Sequence, residues 1–212
     1  MDLYFGTYQS FSTVSKKDAA ILLGADNLVG DIYEIEIEID EECHKAWLVN
    51  RFNQRIGYFE PDFSRKLSIF KARDFAIKAI LSFVAYTDRP DPGHYWGEMA
   101  VICYDSSRAD IFERYIASIS DAMAEGKRPD VSLSINDVDR ILDSKGAWTP
   151  DGQVPLPKKA KGTAIMKSKR SLNEKLIEQG RKGNIGCYIV SWAFLLGLVA
   201  LLIFGLKSCG VF

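Results

Sequence analysis

The chain has 212 residues, 47% of them hydrophobic and 26% charged, with 27 Lys and Arg against 28 Asp and Glu and a formal net charge of −1. That length accommodates one ordinary domain with attachments, enough chain to bury a core. The balanced total hides a segregation: Met1 to Pro157 carries 17 basic and 26 acidic residues, whereas Lys158 to Phe212 carries 10 basic residues and only Glu174 and Glu178 as acids, so an acidic body that repels polyanions as a whole precedes a basic segment.

The opening MDLYFGTYQS lacks a basic stretch followed by an apolar run, so no cleavable secretory signal is expected. Residues 15–23 read as a short helix. Gly30 to Asp40, GDIYEIEIEID, alternates Tyr33, Ile35, Ile37 and Ile39 with Glu34, Glu36 and Glu38, which predicts a strand with one dry and one acidic face. Strands are expected at 44–49 and 55–59 around the turn Asn50 to Gln54. Pro61 and Asp62 then open a helix through Arg73, with Phe63, Leu67 and Phe70 turned inward.

The runs 75–87 and 95–104 are rich in β-branched and aromatic residues, and DRPDPG between them has turn chemistry, so they predict a hairpin. Helices are expected from Ser107 to Gly126, with Ile111, Phe112, Tyr115, Ile116, Ile119 and Met123 on one stripe, and from Ser134 to Gly146 behind a Ser134-x-x-Asp137 start. Trp148 to Gly162, WTPDGQVPLPKKAKG, carries three prolines and two glycines and reads as a linker. The basic stretch from Ala164 to Gly180 has the composition of an amphipathic helix, and Lys167, Lys169, Arg170 and Lys175 within it, with Arg181 and Lys182 just after it, are the cations expected toward a lipid surface.

Ile185 to Leu206 is 22 residues without a charge, 13 of them Leu, Ile, Val or Phe. Helical, it would reach roughly 33 Å, enough for a bilayer core of about 30 Å. A single C-terminal transmembrane helix is therefore expected. The basic flank before it places the preceding domain on the cytoplasmic side and the tail 207–212 outside or in a lumen, the layout of a single-pass, tail-anchored membrane protein. Ala193 and Gly197 form a small-xxx-small pair suited to a homodimer of such helices, and Cys187 at the boundary is a candidate for acylation.

The stretch KAWLVNRFNQRIGYFEPDFSRKL, Lys45 to Leu67, resembles the middle of the HIRAN domain. Lys45-Ala46-Trp47 matches the entry to one family strand and Ile56-Gly57-Tyr58 matches its [IV]-G-[YH] strand; a helix follows, and a later hairpin extends the likeness over residues 30–104. The early glycine-and-aromatic signature and the D-x-N step of the family are missing. The resemblance implies a small-barrel fold and, since members attached to helicases bind single-stranded DNA ends, a nucleic-acid site. Arg51, Arg55, Tyr58, Arg65 and Lys66 are its candidate residues, cations for phosphates and a ring for stacking.

Two other groups of residues are candidates. Asp88, Asp91, His94 and Glu98 gather carboxylates and a histidine around a hairpin tip, the raw material of a metal or acid–base site, although a polar turn needs the same residues. Cys43, Cys103, Cys187 and Cys209 show no C-x-x-C spacing, which predicts neither a zinc knuckle nor a dithiol, and Cys43 and Cys103 read as buried thiols. No phosphate loop, H-E-x-x-H or G-x-S-x-G is present.

The sequence thus predicts an α+β domain over 1–147, a small antiparallel sheet or open β-barrel flanked by helices. A linker over 148–163, a basic juxtamembrane segment over 164–184 and a transmembrane helix over 185–206 follow. The expected function is that of a membrane-tethered interaction module for another protein, non-enzymatic and without metal or cofactor. The alternative is a HIRAN-like single-stranded nucleic-acid-binding module at the membrane.

Overall fold

The computed structural model describes residues 3–14, 21–40, 44–158, 160–181 and 185–208, with side chains of the last segment described at 189–199 and 201. Seven strands run in chain order: β1 (Tyr4–Ser12), β2 (Ile32–Ile39), β3 (His44–Val49), β4 (Arg55–Tyr58), β5 (Phe75–Thr87), β6 (His94–Asp105) and β7 (Thr163–Lys167). The helices are α1 (Pro61–Ala72), α2 (Ala109–Ala124), α3 (Ile135–Asp143), α4 (Leu172–Arg181) and α5 (Ile185–Ser208). The chain divides into two compact units, residues 1–170 and 171–212.

In the first unit the sheet order β2-β3-β4-β1-β6-β5 returns to its start through β5 pairing with β2, which closes a six-stranded antiparallel barrel. The expected open sheet or open barrel is corrected accordingly. The closing contact is short, Ile32↔Ile80, Tyr33↔Ala79 and Glu34↔Lys78, and such a long-range pairing between distant segments leaves no local mark in the sequence. β5 is long enough to serve both ends: its residues 78–80 meet β2, and its residues 84–87 meet β7.

The interior is filled by Phe11, Tyr33, Ile35, Leu48, Ile56, Leu81, Val101 and their neighbours, with Leu67 of α1 inserted and Phe63 and Phe70 packed beside it. Phe11 lies flat against two glycines: a Cβ on Gly57 would sit 2.8 Å from its ring, and one on Gly97 2.7 Å. A second apolar layer joins the outside of β1, β6 and β5, through Tyr4, Ile80, Ala100, Ile102 and Tyr104, to Phe112, Tyr115, Ile116, Ile119 and Met123 of α2 and Val138 and Ile141 of α3. Helix α3 begins on a reciprocal cap, in which Ser134 Oγ accepts from the Asp137 N–H and the Asp137 carboxylate accepts from the Ser134 N–H.

Residues 148–162 are not a free tether along their whole length. Pro129 and Gln153 form a β-bridge, and the Val154 N–H donates to Arg128 O at 2.8 Å. The segment 163–167 is a strand, not the start of a basic helix, and the helix in that region begins only at Leu172. Of the helix expected over 15–23, residues 21–23 are described and helical; the rest lies outside the described residues, as do Cys43, Lys182 and Cys209.

The expectation of a transmembrane helix over 185–206 is corrected. Among the described residues no helix is long and apolar enough to cross a membrane. Ser191 and Gly197 lie within the apolar stretch of α5. The assignment as a single-pass, tail-anchored membrane protein, with a cytoplasmic domain and an outside or lumenal tail, falls with the span.

Candidate functional site

The strand alternation that turns Tyr33, Ile35, Ala46, Leu48 and Ile56 into the barrel turns Glu34, Glu36, Glu38, Lys45, Trp47, Arg55 and Tyr58 outward, and among the described residues of the first unit no helix lies over them. Register aligns these side chains across three strands: Glu36 is opposite Trp47, and Trp47 is opposite Tyr58. The two rings meet edge to face with centroids 5.5 Å apart, and Lys45 Nζ stands 4.1 Å from both centroids. The Arg55 guanidinium lies 5.1 Å from the Trp47 ring and donates to Glu36 at 2.9 Å and to Glu38 at 3.4 Å. The indole N–H of Trp47 donates to the same Glu38 oxygen, Oε2, at 2.6 Å. The hydrogen bond from Arg55 holds the Glu36 carboxyl below its ordinary range and pushes Arg55 further up. On so wet a surface these pairs contribute little to stability.

Beside this face, β2 has an open edge. Successive backbone N–H groups of a strand point to opposite edges. Since the Leu81 N–H donates to Asp31 O at 3.0 Å, the odd-numbered residues of β2 point toward β5. The ladder with β5 ends at Glu34↔Lys78, so the edge groups of Ile37 and Ile39 meet no strand among the described residues. A cleft of about 750 Å³ is lined by Ile35, Ile37 and Ile39 of β2, by Ser68, Lys71 and Ala72 of α1 and, at the end of β3, by Val49 to Arg51 and Asn53. A second cleft, of about 860 Å³, lies among Leu3, Phe5, Phe70, Phe75, Arg73 and Asp105.

At the start of β2 a polar network fastens the C-terminal part of the unit. Asp31, only 8% exposed, accepts from the Leu28 N–H at 2.8 Å and pairs with Arg51 at 2.9 Å and Arg170 at 3.0 Å. Arg170 also donates to Val29 O, and Lys167 Nζ donates to Gly24 O and Asn27 O. The buried Asn27 side chain accepts from the Tyr33 hydroxyl and from Asn50. Burial lifts the Tyr33 hydroxyl well above its ordinary range, with Asp31 adding to the shift.

The structure brings two of the nucleic-acid candidates, Arg55 and Tyr58, to the Trp47 ring and places the other three elsewhere. Arg51 is committed to Asp31, Arg55 to two glutamates, and Lys66 stands 3.8 Å over the Phe5 ring. Arg65 is exposed on α1, and Tyr58 joins Trp47 under Lys45. Of the cations expected at a lipid surface, Lys167 and Arg170 are engaged in the network just described and Lys169 is exposed. In the second unit Lys175 lies on α4, and Arg181, at its end, faces Glu178 at 3.8 Å.

The hairpin-tip group also separates. Glu98 lies four positions along β6 from His94, about 13 Å at 3.3 Å per residue, and its carboxylate is paired with Arg128. Burial raises the Glu98 carboxyl, and Arg128 opposes the shift. No group of three or more His, Cys, Asp or Glu among the described residues is placed to hold a metal ion. Cys103 is free and sealed in the barrel, where burial pushes its thiol up to about 12. A thiol at that value is packing material, not a nucleophile.

Sequence reasoning placed Glu38 on an acidic face and Lys45 and Trp47 in a family-like step but made neither them nor Asp31 candidate site residues. For Lys45 and Trp47 the signal was there: they share a strand face opposite Ala46 and Leu48, which puts a tryptophan on the wet side. Asp31 is joined to Arg170 across 139 positions, a distance at which no pattern operates. Comparison with known proteins adds nothing: no family model, no curated protein and no solved structure matches the chain.

Proposed function

We propose that the chain is a non-enzymatic binding module that engages another protein through the uncovered outer face of β2, β3 and β4. The observation that carries this reading is the contrast around the barrel wall. One half is buried beneath α2 and α3, whereas the other presents Trp47 and Tyr58, ringed by charge, with no helix among the described residues of the first unit over it. Rigid aromatic residues with a polar rim are the composition of a protein-binding surface. A nucleic-acid strand on the same face would meet Glu34, Glu36 and Glu38 beside the rings, and its phosphates would compete with those carboxylates for Arg55 and Lys45.

The test is affinity capture by the full chain from an extract of its own host, run beside Trp47→Ala and Tyr58→Ala variants with unchanged circular dichroism. A protein retained by the unaltered chain and lost by both variants supports the reading; a set of captured proteins indifferent to both substitutions sinks it. Titration of labelled oligo-dT in parallel separates the nucleic-acid alternative: saturable binding that weakens steeply with salt and disappears in Trp47→Ala would replace the protein partner with a single strand.

A further inference from the structure

The partner's chemistry is legible in the place where the barrel comes apart. Strand β5 stays beside β6 down to Phe75, but β2 leaves β5 after Glu34 and runs on to Ile39. At the last shared rung Lys78 of β5 reaches across to Oε1 of Glu34. One rung and two rungs further, Glu36 and Glu38 use Oε2 for Arg55 and Trp47, and their Oε1 atoms have no partner among the described residues. The isoleucines between them alternate onto the other side, where Ile37 is partly covered and Ile39 is 63% exposed.

We infer that the free edge of β2 from Ile35 to Ile39 accepts an extended segment of a partner protein in which basic and apolar residues alternate. This deepens the protein-binding reading above and rests on it. An added strand would take the edge N–H and C=O groups of Ile37 and Ile39 and place lysine or arginine across from Glu36 and Glu38, as β5 itself places Lys78 across from Glu34. Its apolar side chains would fall on the isoleucine side, against Ala72 and the aliphatic stem of Lys71. A second copy of β2 is a poor occupant, because pairing two such edges sets glutamate against glutamate. The same row of charge protects an open edge from pairing at random.

The probe is a fluorescein-labelled heptapeptide of alternating lysine and valine, titrated into the full chain by fluorescence anisotropy, with a glutamate–valine peptide as control. Saturable binding of the basic peptide is expected, weakened roughly ten-fold by Glu36→Gln with Glu38→Gln, or about 1.4 kcal/mol, and abolished by Ile37→Pro. The Ile37 N–H faces the open edge, so proline there removes no bond to β3. Hydrogen exchange of the unaltered chain guards against a misfolded variant: the Ile37 and Ile39 amides become protected when the peptide binds. Equal affinity for the acidic peptide, unchanged affinity in Ile37→Pro, or no added protection at those amides overturns the inference. A host protein lost by Trp47→Ala but kept by Ile37→Pro would also overturn it while leaving the broader reading intact. A host protein indifferent to both variants removes the broader reading itself.

Discussion

On the β1–β6–β5 half of the barrel the outward ion pair is Arg128 with Glu98, their side chains 6% and 15% exposed. Arg128 lies 4.5 Å from the Tyr8 ring centroid and donates to Pro155 O. On the β2–β3–β4 half the corresponding pair is Arg55 with Glu36, 42% and 56% exposed. The chemistry is the same guanidinium–carboxylate contact; the surroundings differ. The dry pair is costly to leave half-made, since one ion would remain in a poor solvent. The wet pair can exchange its partner for water or for another protein's cation at little cost. The covered half of the wall keeps its ion pair dry, and the bare half, which carries the proposed binding face, leaves its pair in water.

The strongest way to break that contrast is Arg128→Ala. Removing the guanidinium strands Glu98 and is expected to cost about 3–5 kcal/mol in urea unfolding at neutral pH. The loss has a definite pH dependence. Burial raises the Glu98 carboxyl above its ordinary value of 4.5, so the fold prefers its protonated form, and the cost of ionising it appears as pH rises through the raised value. Arg128 opposes that rise, and without it the cost grows. The variant should therefore approach the unaltered chain at pH 4 and fall furthest behind it at pH 7. Equal losses at both values would show that Glu98 is better solvated than its contacts imply.

A second test sharpens the contrast at the boundary between the two halves. Asp31 is drier than Glu98 but holds two arginines, so Arg170→Ala leaves it Arg51 as an ionic partner beside the Leu28 N–H. A smaller loss is expected, about 2 kcal/mol, the usual worth of a hydrogen bond to a charged group. The substitution also frees the segment after β7, and limited proteolysis should then cut within residues 158–170 faster than in the unaltered chain. An unchanged cleavage rate would mean that the pairing of β7 with β5 holds this segment without the network.

What the sequence disclosed, and what it concealed, follows the same division between local and distant causes. Strands β2 to β6 and helices α1 to α3 were legible because each carries its own periodicity or cap, such as the alternation over 32–39 and the Ser134–Asp137 pair. β1 was not, because Tyr4 and Tyr8 pack outward while Phe5 and Phe11 pack inward, and a strand covered on both faces has no period of two. β7 was misread as helix because its five residues have helix-compatible composition and are made a strand by Val84 to Thr87 of β5. The span expected at 185–206 was read from an uncharged run, and no helix among the described residues is long and apolar enough to carry it. The candidate site was half visible: the acidic row stood out, but the lysine that identifies its complement, Lys78, arrives from another strand.

The smallest expected effect is the most direct check on the bare half. Arg55 holds the Glu36 carboxyl below its ordinary 4.5, so whatever the pair contributes is fully present above that value and is lost as pH falls through the depressed one. Glu36→Gln should therefore match the unaltered chain at the acid end. Above 4.5 it should differ by no more than the scatter of a denaturation midpoint, and moderate salt should erase even that difference by screening. The consequence belongs to binding: the same substitution, silent in unfolding, should weaken the alternating lysine–valine peptide. A Glu36→Gln variant that unfolded markedly early at pH 7 would mean that the exposed pair holds the barrel together as the buried one does, and the distinction between a wall for folding and a wall for recognition would be lost.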